Sequence, residues 1–236
     1  SILPTEFPEH PNYDVFCKML PAKEMGGDFY DLFKIDDEWL GLAIADVSGK
    51  GVPAAFFMAV SRTELQAAAV SGAAPSEVLS QVNQHLCAEN PLELFVTVFY
   101  GLFNVNTGRF IYSNGGHNAP FVVRTGGECE ELELTGDMAL GVMPDLLYSD
   151  NEVVLEPGDT LVMYTDGVTE AFNPESEEFG EKRLVKALDA AHGQPAKEQL
   201  ENIYSTVTAF ANGREQSDDI TCALLRYQLP TASQEY

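Results

Sequence analysis

The way strand-like segments meet limits the fold more than any other feature of this chain. Residues 29–34 (FYDLFK) and 39–45 (WLGLAIA) are short apolar or alternating runs parted by the turn-forming Asp36-Asp37, which predicts a β-hairpin. Residues 94–104 and 109–114 repeat the pattern around Asn106-Thr107-Gly108. Further strands are predicted at 120–124, 131–134, 152–155, 160–165 and 220–227, with Gly126-Gly127 and Pro157-Gly158 as turns. Turns this short join antiparallel neighbours, because a parallel pair needs a crossover of a dozen or more residues.

Helices fall in two pairs. Pro53 suits a first helical turn, where its missing N–H costs nothing. The Ala-, Phe-, Met- and Leu-rich stretch from there to Val70 reads as a largely buried helix that Gly72 stops. Pro75 opens a second helix, with Val78, Leu79, Val82 and Leu86 at helical spacing. The other pair is predicted at 181–191 and 195–210, and residues 1–24, with four prolines, read as an extended lead-in. So many hairpin strands require two stacked sheets, and the helix pairs cover their outer faces. The expected class is α+β: one domain over residues 1–236, with mostly antiparallel sheets sandwiched between helices.

Charge narrows the function. The chain carries 37 acidic against 13 basic side chains, a formal −24. That balance excludes nucleic-acid binding through phosphate neutralisation and membrane contact through a basic patch. With 45% hydrophobic residues the chain is not disordered. From Thr125 to Glu181 there are 16 acidic residues and no Lys or Arg, read either as solvated surface or as carboxylates gathered around cations. Four scattered cysteines form no C-x-x-C pair, and neither a membrane-length apolar run nor a signal peptide is present. The expected location is cytoplasmic, either free or as the cytoplasmic part of a membrane-anchored sensor. The start at Ser1 reads as a domain of a longer signalling protein.

Four aspartate sites lie beside candidate strand ends: Asp28 after Gly26-Gly27, Asp46 in IADVSGKG, Asp166 in MYTDGVTEA, and Asp218-Asp219 in QSDDIT. Singly, each reads as a turn or cap residue; together they suit hard divalent cations, which take oxygen ligands and keep several waters. Two such ions a few ångströms apart can clamp a phosphate and acidify water. P-loop, dinucleotide, nucleophile-elbow and H-E-x-x-H motifs are missing from the sequence. The histidines are scattered, and only His117, in SNGGHNAP, has a suggestive setting; it reads as ordering a turn or as lying near the site.

GGDFYD (26–31), IADVSGKGVPAAFFMA (44–59), YSNGGHNAPFVV (112–123), LEPGDTLVMYTDGVTEA (155–171) and SDDIT (217–221), in that order along the chain, resemble the SpoIIE/RsbU-type branch of the PPM (PP2C-like) serine/threonine protein phosphatases. The resemblance implies a four-layer αββα sandwich and hydrolysis of phosphoserine or phosphothreonine by water activated by two cations, Mn²⁺ or Mg²⁺. It implies that Asp46 bridges both metals, with the Val47 carbonyl as a further ligand. Asp28 would hold one metal, and Asp166 with Asp218, or less readily Asp219, the other. The helix after Lys50-Gly51 corresponds to an element that moves in relatives when a regulator acts. The His that many eukaryotic-type members carry just after the bridging Asp is missing from DVSGKG, so the general acid is unassigned. Lys50 and His117 are the candidates for substrate contact. The implied substrate is a phosphorylated STAS-type anti-sigma-factor antagonist in bacterial partner switching, with an upstream sensor or regulatory domain as partner and a homodimer compatible. The alternative is a catalytically inactive PPM-like binding module.

Overall fold

The computed structural model describes residues 3–88 and 90–229; the ends of the expected 1–236 domain, residues 1–2 and 230–236, lie outside the described residues. Ten strands form two five-stranded antiparallel sheets. One sheet contains β2 (Phe29–Lys34), β3 (Trp39–Val47), β4 (Val96–Asn104), β5 (Arg109–Gly115) and β8 (Asn151–Val154), side by side in that order. The other runs β1 (Tyr13–Leu20), β10 (Ile220–Tyr227), β9 (Thr160–Tyr164), β6 (Phe121–Val123), β7 (Cys129–Glu131). Helices α1 (Val52–Ala69) and α2 (Pro75–Ala88) pack on the first sheet, and α4 (Gly180–Ala191) and α5 (Ala196–Ala211) on the second. A single turn, α3 (Asp166–Thr169), follows β9.

The period-two alternation of β3 explains the layering. Leu40, Leu42 and Ile44 point between the sheets, where they meet Phe99, Phe103 and Phe110 of their own sheet and Leu161, Met163, Ala223 and Leu225 of the other. The intervening Ala43, Ala45 and Val47 face α1 and α2, among Ala54, Met58, Leu65, Val78 and Leu79. Strands β9 and β10 do the same in mirror, with Val162, Tyr164, Cys222 and Leu224 packed against Leu184, Leu188, Leu200 and Ile203. Three apolar layers separate four structural layers: the αββα sandwich.

Three expectations need correction. The lead-in is not merely extended, because Tyr13–Leu20 pairs residue for residue with Ile220–Tyr227. The prolines at 4, 8, 11 and 21 flank this strand without entering it. The seventh strand starts at Cys129, not at residue 131, because pairing zips directly from the Gly126-Gly127 turn, with Val123 opposite Cys129. Helix α1 is not largely buried: one side packs on the sheet, while Phe56 is 69% and Val60 50% exposed on the open side. Among the described residues no helix is long and apolar enough to cross a membrane. Thirteen of the sixteen acidic residues in 125–181 are exposed, which is the solvated reading; Asp159 is buried and Asp166 half-buried.

Candidate metal centre at the seam of the sheets

Both sheets send carboxylates to one place. Asp28 directly precedes β2, and Asp46 is the penultimate residue of β3, which pairs with β2 through Phe29 opposite Ala45. From the other sheet, Asp166 follows β9 and Asp218-Asp219 precede β10; the Thr165 N–H donates to the Thr221 carbonyl at 3.0 Å, so these two ends are held side by side. Asp28 is 2% exposed, and its Oδ2 accepts hydrogen bonds from Thr165 Oγ1 at 2.8 Å and Thr221 Oγ1 at 2.5 Å. The residue that leads into β2 in the first sheet is thereby fastened to the end of β9 and to β10 in the second.

Glycine permits the close approach. A Cβ on Gly27 would stand 3.1 Å from the Val47 carbonyl oxygen, so a side chain there would push the loop carrying Asp28 a few tenths of an ångström off the end of β3. That packing sets the Val47 carbonyl against Gly27, the residue before Asp28.

Crowded acids in a dry site repel. Burial, then the charge of Asp46, holds the Asp28 carboxyl well above the usual range. Burial and the neighbouring Asp166, with Asp218 and Asp219 beyond, push Asp46 up to about 7. Asp166 is raised by burial and by Asp218. A cation sits beside them: Lys50 Nζ lies 2.9 Å from Asp218 Oδ2 and donates to the Ser217 carbonyl at 2.6 Å.

Of the substrate-contact candidates, Lys50 reaches the cleft. His117 is 3% exposed, with Nδ1 2.9 Å from Thr97 Oγ1 and Nε2 3.1 Å from the Tyr164 carbonyl. Burial pushes it down to about 4. Its ring is an internal strut between Thr97 of β4, whose hydroxyl donates to the Asp46 carbonyl at 3.4 Å, and Tyr164 of β9, two residues before Asp166, while Asn114 Oδ1 accepts its backbone N–H at 2.8 Å and orders the turn. Thr165 and Thr221 were not singled out from the sequence. Their signal was available, because Thr165 adjoins Asp166 and Thr221 is two residues past Asp219 on a strand.

The donor set suits hard divalent cations: every group is oxygen, and the carboxylates are destabilised by one another without added positive charge. Among the described residues no three His, Cys, Asp or Glu side chains cluster as a ready-made cage.

The αββα fold with acidic groups at the sheet seam is that of PP2C-type serine/threonine phosphatases. The family model described as Stage II sporulation protein E (SpoIIE) matches residues 36–228, and the chain belongs to that family. It is 32% identical over 227 residues to phosphoserine phosphatase RsbU of Bacillus subtilis, covering 96% of this chain and 67% of RsbU. It is 31% identical over 248 residues to protein IcfG of Synechocystis, covering 94% of this chain but 39% of IcfG. The structure of the RsbU and RsbW domains of Rv1364c from Mycobacterium tuberculosis superposes with a TM-score of 0.83 at 24% identity, covering 98% of this chain and 64% of that one. The catalytic domain of PstP, solved in complex with two manganese ions, shares the fold at a TM-score of 0.66 and 15% identity, covering 92% of this chain and 99% of that one.

Proposed function

We propose that this chain hydrolyses phosphoserine or phosphothreonine on a signalling protein with the help of two divalent cations, Mn²⁺ or Mg²⁺. The observation that carries the reading is the convergence of Asp28, Asp46, Asp166 and Asp218 from both sheets onto one cleft, beside Lys50. Asp46 faces the other carboxylates and would be shared between the cations, with the Val47 carbonyl beside it. Asp28 would serve one ion; Asp166 and Asp218 would serve the other, with Asp219 the less suited of the pair. When bound, the cations supply positive charge for the phosphoryl oxygens and make water nucleophilic at neutral pH.

The chain's own residues orient and admit. Thr165 and Thr221 aim the Asp28 carboxylate, and the bare backbone at Gly26-Gly27 lets the loop that carries it pack against Asp219 and the end of β3. Lys50, half-exposed at the rim, is placed to attract a dianionic phosphate into an otherwise acidic cleft. A STAS-type phosphoprotein is the proposed substrate class, supported by the similarity to RsbU and by the RsbU–RsbW architecture of Rv1364c. A regulatory segment and a cytoplasmic setting belong to the same reading.

An inactive binding module is the second reading, and the filled set of four aspartates argues against it. The test is phosphate release from a phosphoserine protein by the purified chain in Mn²⁺, with loss on chelation and in Asp46→Ala. An active wild type whose Asp46→Ala variant keeps its rate would remove Asp46 from the chemistry.

A further inference from the structure

Asp218 and Asp219 are adjacent, yet the fold uses them differently. The Asp218 side chain is 38% exposed, with Oδ2 turned to Lys50. Asp219 is 7% exposed, and both of its oxygens are engaged by backbone: Oδ1 accepts the Ala22 N–H and Oδ2 the Gly27 N–H, each at 2.8 Å. These donors lie almost two hundred residues away, on the loop between β1 and β2 that delivers Asp28. Charge-assisted bonds to backbone N–H groups are about twice as strong as neutral ones.

The other side of the same residue meets the other half of the cleft. A Cβ on Gly167 would overlap the Asp219 carbonyl oxygen, and one on Gly26 would overlap its carboxylate. The turn bearing Asp166 and the loop bearing Asp28 therefore both pack directly on Asp219, each through a glycine. Gln216 adds a tether, donating to the Leu20 and Asp218 carbonyls at 2.7 and 2.6 Å.

We propose that Asp219 is a positioning residue that sets the spacing of the metal-facing carboxylates by bracing the Asp28 loop, the Asp166 turn and Asp218 against one another. This rests on the metal reading of the site and assigns Asp219 a place outside the ligand set. Asp219→Asn removes one acceptor and turns an amide donor toward a backbone N–H, so the brace opens while Asp218 stays.

The experiment compares Asp219→Asn and Asp218→Asn by amide hydrogen exchange without metal, and by Mn²⁺ calorimetry well below the unfolding temperature. In Asp219→Asn the Ala22 and Gly27 amides should exchange at least about tenfold faster. The variant should still take up both Mn²⁺ equivalents, about 10–100-fold more weakly, as when an outer-shell partner is lost. Phosphatase activity should return at high Mn²⁺, with the Mn²⁺ requirement raised and kcat largely kept. Asp218→Asn should leave those amides protected and lose a Mn²⁺ equivalent. Asp219→Glu keeps two acceptors displaced by a methylene and should give an intermediate weakening, which also covers failure of the Asn variant to fold. Loss of a Mn²⁺ equivalent in Asp219→Asn with Ala22 and Gly27 still protected would make Asp219 a ligand and overturn the proposal, as would unchanged Mn²⁺ affinity. A wild type that takes up no Mn²⁺ overturns the metal reading instead, and the brace then stands or falls on amide exchange alone.

Discussion

Asp46→Asn exposes the electrostatic cost of the cleft. Burial and the neighbouring aspartates raise the Asp46 carboxyl from 3.8 to about 7 in the metal-free protein. A rise of roughly three units, at 1.36 kcal/mol each, corresponds to about 4 kcal/mol. Because the folded protein holds this proton more tightly than the unfolded chain, the metal-free protein loses stability as pH rises through the window from 3.8 to about 7. Below that window the penalty is absent, and above it the penalty is complete. Asparagine keeps the shape and removes the charge. In chelator at a pH of about 7.5, Asp46→Asn should gain about 2–4 kcal/mol, a Tm rise of about 4–16 °C for a chain this size. The gain should vanish toward a pH of about 4. Added Mn²⁺ should reverse the order, since a ligand that binds only the native state stabilises it and the variant has lost the carboxylate proposed to be shared between the cations. Thermal melts followed by circular dichroism, in chelator across pH and then with Mn²⁺, give all of these values. A variant less stable than wild type at neutral pH in chelator, or a difference that does not vary with pH, would refute the repulsion argument.

Two further outcomes are expected. Asp159 is 1% exposed and accepts from Arg124 Nη1 at 2.8 Å and from the Thr125 and Glu156 N–H groups at 2.9 Å. Asp159→Ala should cost about 3 kcal/mol, the low end for breaking a buried pair because Arg124 keeps Glu130. Urea titration should show a lower midpoint with an unchanged slope, and Mn²⁺ binding should persist because Asp159 lies at the far end of β9 from Asp166. His117, pushed from 6.5 to about 4 by burial, contributes stability that is complete above 6.5 and is lost as pH falls toward 4. At 1.36 kcal/mol per unit this is about 3 kcal/mol. His117→Gln should flatten that acid limb in urea titrations across pH, and a variant with the wild-type acid limb would contradict the assignment.

Much of the fold was legible because hairpins and helix pairs announce themselves locally. The β2–β3 and β4–β5 hairpins, Pro53 and Pro75 at helix starts, and the last strand all carry their own turn or period signal. Strand β1 was not legible as part of a sheet, since its partner is the last strand and nothing near Tyr13–Leu20 records that pairing. The open side of α1 was missed because Phe56 and Val60 are as apolar as the residues beneath them, and composition does not tell one face from another. At the site, Asp beside Gly was a usable signal because the glycines are needed for close packing. The division between Asp218 and Asp219 depends on Ala22 and Gly27, which are remote in sequence. Asp159 looked like one more acid in a solvated stretch, and its contacts with Arg124, Thr125 and the Glu156 N–H distinguish it.

The place of β10 bears on how the molecule comes into being. It lies between β1 and β9, so Tyr13–Leu20 has no strand to pair with until Ile220–Tyr227 has been synthesised. Long-range closure of this kind slows folding and leaves an early strand edge open during translation. The same final segment brings Asp218, Asp219 and Thr221. A nascent or proteolytically clipped chain ending before it would lack a closed second sheet, the Asp219 contacts and one of the two hydroxyls on Asp28. Part of the proposed metal site and the sealing of the fold thus arrive together, in the final dozen or so residues of the described chain.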